Sequence, residues 1–185
     1  MIDEQRNFPD LETERFILRN MKEEDTPFIF HQFSDPRVTQ YLMDEPPVSN
    51  MEEAQGIVDY YLDAEGKNHN RWIIIRKTDH RPVGTCGFHK WDAAHLRAEI
   101  GYDLAADCWG QGIMSEVLRV VIDSGFERMK LNRIDAVVYI ENHRSIGVLK
   151  KMGFQQEGIL REYYYLNETF HDHVLLGLLH RDWKG

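Results

Sequence analysis

Apolar residues recur along this chain with two periods, and the switches between them mark its elements. The short apolar run in Arg15-Phe16-Ile17-Leu18-Arg19 reads as a first strand. Glu23-Glu24-Asp25-Thr26-Pro27 carries the acidic residues and early proline of a helix start, ahead of Phe28, Ile29 and Phe33. Asp35-Pro36 ends that helix. After the loop Pro46-Pro47-Val48-Ser49, either Ser49 or Asn50 caps a second helix through Ile57, Val58, Tyr61 and Leu62.

The middle reads as sheet. Trp72-Ile73-Ile74-Ile75 and Pro82 to Phe88 are strands joined by the hairpin-length turn Asp79-His80-Arg81. The polar stretch Lys90 to Leu96 predicts a loop before the strand Ala98 to Leu104. From Val117 to Phe126, Leu118, Val121, Ile122, Gly125 and Phe126 form one apolar stripe at helical spacing. Arg133 to Tyr139 is a strand with an apolar centre, and a helix follows Asn142. Phe154 to Leu166 and His171 to Leu179 close the chain as two strands joined near Asn167-Glu168. Strand–helix–strand order implies one parallel pairing, whereas the hairpins are antiparallel, so the sheet is mixed and the class α/β (α+β).

With 185 residues, 42% of them hydrophobic and 29% charged, the chain fits one globular domain. A net charge of −9 argues against nucleic acid as a partner, since neutralising phosphates takes clustered Lys and Arg. Cys86 and Cys108 form no CxxC pair and read as reduced thiols of a cytoplasmic protein. Met1 to Asp10 lacks the apolar core of a signal peptide, and no run nears the roughly 20 apolar residues of a membrane span. The histidines show no tight ligand set. His171 and His173 share a strand face but have no identifiable third ligand, so no metal is expected.

The most informative stretch is Trp109-Gly110-Gln111-Gly112-Ile113-Met114-Ser115, lying between a strand and a helix. Such a turn presents unpaired backbone N–H groups at the positive end of a helix dipole, which suits a phosphate. Its spacing is not that of the dinucleotide GxGxxG fingerprint, and no Gly-Lys-Ser/Thr marks a P-loop.

This turn, taken in order with Leu11-x-Thr13-x-Arg15, Val83 to Phe88, Ala98-Glu99-Ile100-Gly101-Tyr102, Asn142-x-x-Ser145, Lys151-x-Gly153-Phe154 and Asp172-His173-Val174, resembles the GNAT superfamily of acetyl-CoA-dependent N-acetyltransferases. The branch it is similar to includes the RimJ and RimL ribosomal-protein N-terminal acetyltransferases. The resemblance implies a central, mostly antiparallel twisted sheet flanked by about four helices. Its fourth and fifth strands form a splayed parallel pair with the pantetheine arm of CoA in the gap. It further implies that backbone amides from Trp109 through Gly110, Gln111, Gly112, Ile113 and Met114 to Ser115 cradle the pyrophosphate, and that Asn142 contacts the cofactor arm. A backbone N–H near Ile100 to Tyr102, where the family often has a strand bulge, would meet the oxyanion. Two departures stand out: Trp109 replaces the usual Arg or Gln, and Met114 sits where Gly or Ala is expected, so its side chain must turn away from the phosphates.

Acetyl transfer to an amine needs a proton acceptor at nitrogen and a proton for the leaving thiolate. Glu99 is the first candidate base, with pairing to Arg97 or Arg133 as the alternative for its side chain. Glu141 and Asp172 are weaker candidates. The family's helix tyrosine is replaced by Leu149, which leaves Ser145, one turn earlier, as proton donor or sulfur partner. A local backbone hydrogen bond is the competing role for that serine. Cys108 lacks a local histidine and does not read as a nucleophile. His89 and Trp91, placed on the loop before the Glu99 strand, are expected to line the acceptor site. Tyr163, Tyr164 and Tyr165 are expected to alternate between core and surface. The expected acceptor is the α-amine of a protein or peptide. A small amine (polyamine, amino acid or aminoglycoside) and a non-catalytic CoA-binding regulator are the rival readings. The protein would act as a monomer or homodimer.

Overall fold

The computed structural model describes residues 8–42, 46–62, 64 and 67–185. Residues 1–7, on which most of the leader-peptide reading rests, lie outside the described residues. The elements are β1 (Leu11–Glu12), β2 (Phe16–Asn20), α1 (Thr26–Ser34), α2 (Pro36–Thr39), α3 (Met51–Tyr61), β3 (Trp72–Arg76), β4 (Pro82–Asp92) and β5 (Arg97–Leu104). After these come α4 (Ile113–Glu127), β6 (Arg133–Tyr139), α5 (His143–Lys151), β7 (Gln155–Leu166) and β8 (Thr169–Leu179). The strands make one eight-stranded sheet in the order β1-β2-β3-β4-β5-β6-β8-β7.

Alternation sorts side chains onto two cores. On β3, Trp72 and Ile74 face the larger core with α4 and α5, while Ile73 enters a second core with Ile29 of α1 and Ala54 and Val58 of α3. That burial on both faces explains why β3 reads as an unbroken apolar run. The stripe on α4 is buried throughout, and at Gly125 the helix approaches β4 so closely that a Cβ would stand 2.9 Å from the Phe88 ring.

The parallel pair is β5 and β6, because the two-residue β1 adds one to the strand count. Pairing there covers only Arg97↔Arg133, Ala98↔Ile134 and Glu99↔Asp135, although the strands continue to Leu104 and Tyr139. Beyond Glu99 β5 stays paired with β4 on its outer side, and β6 is paired with β8 along its whole length. The inner edges therefore part beyond Glu99 and leave a gap.

Five α-helices are present among the described residues, in keeping with the expected number of about four. Four other expectations need correction. Asp35-Pro36 ends α1 but also starts α2, since Asp35 accepts the Arg37 N–H (2.9 Å) and Pro36 takes the first helical position. The polar stretch after Phe88 is not a loop: β4 runs to Asp92, and only residues 93–96 turn. The strand irregularity lies on β4 between His89 and Asp92, whereas Ile100, Gly101 and Tyr102 pair regularly with Phe88, Gly87 and Cys86. Finally, α4 begins at Ile113, so Ile113 to Ser115 are its first turn. No helix among the described residues is long and apolar enough to cross a membrane.

Candidate active site

Gly110 and Gly112 adopt left-handed backbones, with φ of 75° and 73°. A side chain at Gly110 would meet nothing within 4 Å, and one at Gly112 only the tip of Arg15 at 4.0 Å, so both would project into open space above the turn. At this end of α4 the Glu116 N–H donates to the Gly112 carbonyl (3.2 Å), downstream of the amides of Ile113, Met114 and Ser115. Met114 is 6% exposed and sits in the core, so the bulky residue does turn away from the open face. These features fit a phosphate cradle.

The turn is clamped from outside. Glu116 accepts from Thr13 Oγ1 (2.6 Å), the Arg15 N–H (2.9 Å) and Arg15 Nε (2.6 Å). Burial pushes the Glu116 carboxyl up, but these donors outweigh it and hold the group below its ordinary range. The Arg144 guanidinium stacks over the Trp109 ring at 4.8 Å, which puts a cation beside the turn. Trp109 is anchored in turn by its indole N–H to the Leu104 carbonyl (3.0 Å). Together with Tyr102, Asn142 and Ser145, these residues line a cleft of about 270 Å³.

A second cleft of about 200 Å³ opens on the other side of the β5–β6 gap. Glu99 lines it, and its partner is Lys90 (Nζ to Oε2, 2.9 Å), not Arg97 or Arg133. Arg97 turns to Asp92 (3.7 Å), while Arg133 is taken by Asp135 and Glu157. His89 also lines this cleft and meets Arg71 Nη1 through Nε2 (3.2 Å). A guanidinium only donates, so that nitrogen accepts and the imidazole is neutral. Burial first, then the Arg71 charge, lowers the His89 pKa to about 3. Arg71 itself donates to Thr85 Oγ1 (2.6 Å) and to the buried Asp103 (2.7 Å), which Gln32 also holds (2.7 Å).

The two clefts share Tyr41, Leu42, Tyr102, Asn142 and Ser145. Asn142 caps α5 by accepting the Ser145 N–H (3.1 Å). The Ser145 hydroxyl reaches across the gap to the Tyr102 phenol (Oγ to Oη, 2.8 Å), a partner from another element and not a carbonyl of its own turn. Burial raises the phenol's pKa against the opposing hydrogen bond from Ser145.

Other expected residues fall elsewhere. Trp91 lines neither cleft and packs against Phe8 (6.0 Å between rings) beside the main core. The irregularity after His89 sets three β4 residues against two of β5, so His89 and Trp91, nominally on one face, point opposite ways. Asp172 binds the backbone N–H of Glu162 (2.7 Å), and Glu141 is exposed in the turn before α5. Cys108 is buried, and burial followed by the Asp107 charge raises its pKa, the opposite of an activated thiol. Tyr163 and Tyr165 are exposed, whereas Tyr164 is half-buried and lines the second cleft with His173. Sequence reasoning missed Lys90, Arg71 and Arg144. Only Arg144 carried a signal, standing inside Asn142-x-x-Ser145.

The family model for the acetyltransferase (GNAT) domain matches residues 15–155. The chain is 40% identical over 177 residues to the uncharacterized N-acetyltransferase p20 of Bacillus licheniformis, covering 95% of this chain and 98% of that one. Among solved structures, it is similar to the ribosomal-protein-S5-alanine acetyltransferase of Vibrio fischeri, with TM-score 0.79 and 27% identity over 95% of this chain and 99% of that one. The spermidine N-acetyltransferase of Vibrio cholerae, solved with CoA and spermine, shares the fold at TM-score 0.80 and 20% identity, over 91% and 97% of the two chains.

Proposed function

The chain belongs to the GNAT acetyltransferases and is an acetyl-CoA-dependent N-acetyltransferase; on that premise we propose direct transfer to a primary amine, with Glu99 as base and the Tyr102–Ser145 pair as the proton source at sulfur. The observation that carries this reading is the meeting of two clefts at Tyr102, Asn142 and Ser145. Acetyl-CoA supplies an acyl group activated as a thioester. The amides of Ile113 to Ser115 and the Arg144 guanidinium hold its phosphates in the first cleft, and Asn142 borders the arm. Glu99 takes a proton from the amine in the second cleft. The unpaired edge of β5 near Ile100 to Tyr102 offers backbone N–H groups to the oxyanion. A proton from Tyr102, relayed through Ser145, neutralises the departing thiolate. No acyl-enzyme is needed, and the raised pKa of Cys108 agrees with that.

The acceptor we favour is the α-amine of a protein or peptide, in a RimJ/RimL-like enzyme; the likeness to the Vibrio fischeri enzyme supports this choice. An α-amine, with an ordinary pKa of roughly 7.7–8.0, asks far less of a single carboxylate than a lysine at about 10.4. A small free amine is the second reading, favoured by the modest volume of the second cleft. Cytoplasmic action rests on the two unpaired cysteines, Cys86 and Cys108. A thiol-release assay with acetyl-CoA and an amine panel tests the reading. Glu99→Gln is expected to lower kcat by about 100-fold or more at neutral pH, with the deficit shrinking as alkaline pH deprotonates the amine. A variant as fast as the native enzyme at every pH removes Glu99 from the mechanism.

A further inference from the structure

The acceptor site holds a lysine that the transfer chemistry does not call for. Lys90 lies within β4, yet its φ is 50°. Among the described non-glycine residues with left-handed backbones, only Lys90 and Glu162 sit inside strands; the others occupy turns and loops. A side chain with a Cβ is strained in that conformation, and one exposed ion pair is weak compensation. The strain coincides with the irregularity between His89 and Asp92, and such bulges re-aim side chains. Here the lysine is aimed at Glu99, with Nζ 2.9 Å from Oε2, at the wall of the second cleft.

The charges around it are balanced only while the cleft is empty. Arg71 is committed to Asp103 and Thr85, and His89 is neutral. Among the described residues lining the cleft, Glu99 is the only carboxylate, and Lys90 holds it. An ammonium that engages Glu99 makes Lys90 share its counter-ion and sets two cations against one anion. That repulsion favours loss of the amine's proton, which helps the reaction. It also selects the acceptor: a second cation makes the imbalance worse, and a carboxylate cures it.

Resting on the acetyltransfer reading above, we propose that the acceptor is an amine carrying its own carboxylate, with the amine on Glu99 and the carboxylate on Lys90. A free amino acid or a peptide whose first residue is acidic supplies that pair; a polyamine does not. The test is thiol release from acetyl-CoA with leucine, leucinamide, peptides beginning with Glu or Lys, and spermidine, using native protein, Lys90→Ala and Lys90→Arg. Native enzyme is expected to favour leucine over leucinamide, or the Glu peptide over the Lys peptide, by about tenfold or more in kcat/KM. Whichever contrast appears names the source of the carboxylate. Lys90→Ala should abolish it by raising KM for the acid alone, and Lys90→Arg should restore it in part. Preference for spermidine or the Lys peptide, or a contrast that survives Lys90→Ala, overturns this inference and leaves the acetyltransfer reading standing. No turnover with any amine overturns both.

Discussion

Replacing Tyr102 by Phe separates a proton source from a mere spacer. The phenol sits 2.8 Å from the Ser145 hydroxyl, where the two clefts join. If it only orients Ser145, its removal costs one neutral hydrogen bond, about 1 kcal/mol, or about fivefold in rate. If it delivers the proton that neutralises the thiolate, the loss falls in the range of general acid catalysis, roughly 10²–10⁴-fold. We expect kcat to fall about 100-fold or more, with KM for acetyl-CoA little changed because the proposed phosphate site, the glycine turn, lies at the far end. Phe keeps the ring's packing, so a CoA-induced rise in melting temperature confirms an intact cleft. Ser145→Ala should be similarly slow, and the double variant no slower than the worse single one, because the two hydroxyls form one relay. Burial, opposed by the hydrogen bond from Ser145, keeps the phenol's pKa above its ordinary 10.0, so native kcat should show no alkaline fall below pH 10. A loss under about fivefold, or full additivity of the two substitutions, refutes the relay.

His89 should make stability depend on pH. The folded chain keeps the His89 imidazole neutral down to about pH 3, against an ordinary 6.5, so between those values mainly the unfolded state binds the proton. Stability then falls as pH drops below 6.5, by about 2 kcal/mol between pH 7 and pH 5. His89→Gln keeps a neutral acceptor for Arg71 and should remove that slope, as urea melts at the two pH values would show; an unchanged slope assigns the effect to another group. Gly112→Asp puts a carboxylate where the cradle opens, at φ 73°, and should abolish the CoA-induced rise in melting temperature while the protein stays folded. Undiminished protection by CoA would move the phosphates elsewhere.

Elements were legible where pattern and burial coincide. The stripe on α4 and the runs of β3 and β6 are apolar because they are buried, so periodicity found both strands to within a residue and α4 from Val117 onward, four residues after it begins. The glycine turn was legible because left-handed backbones demand glycine at Gly110 and Gly112. Lys90 to Asp92 escapes a reading by pattern because Lys90 lines a cleft and Asp92 ends the strand, and polar residues there look like loop. Trp91 was misplaced because the alternation that would put it beside His89 is broken by a bulge that no residue type announces. Arg71 was invisible for a different reason: its partners Asp103, Thr85 and His89 come from two other strands, and only the fold makes them neighbours.

The splay of β5 from β6 is what the proposed chemistry requires of this sheet. Successive residues of a strand face opposite sides, so Glu99 and Tyr102 belong to different faces of β5. Glu99 shares its face with Gly101, where a Cβ would stand 3.3 Å from His89 and 3.8 Å from Arg71, the groups of the second cleft. Tyr102 shares its face with Ala98 and Ile100, which pack into the core beneath α4 and α5, the side of the glycine turn. The proposed base on one face and the proposed acid on the other could not serve the amine nitrogen and the leaving sulfur of one reaction through a closed sheet. Pairing stops at Glu99↔Asp135, and the residues beyond it, Ile100 to Tyr102 on β5 and Ala136 to Tyr139 on β6, line the opening where the two clefts meet. The backbone hydrogen bonds forgone there leave N–H groups of β5 unclaimed by β6, available to the oxyanion of the proposed reaction. A substitution that closed the gap by extending the β5–β6 ladder would therefore strengthen the sheet and extinguish transfer, even with Glu99, Tyr102 and Ser145 all in place.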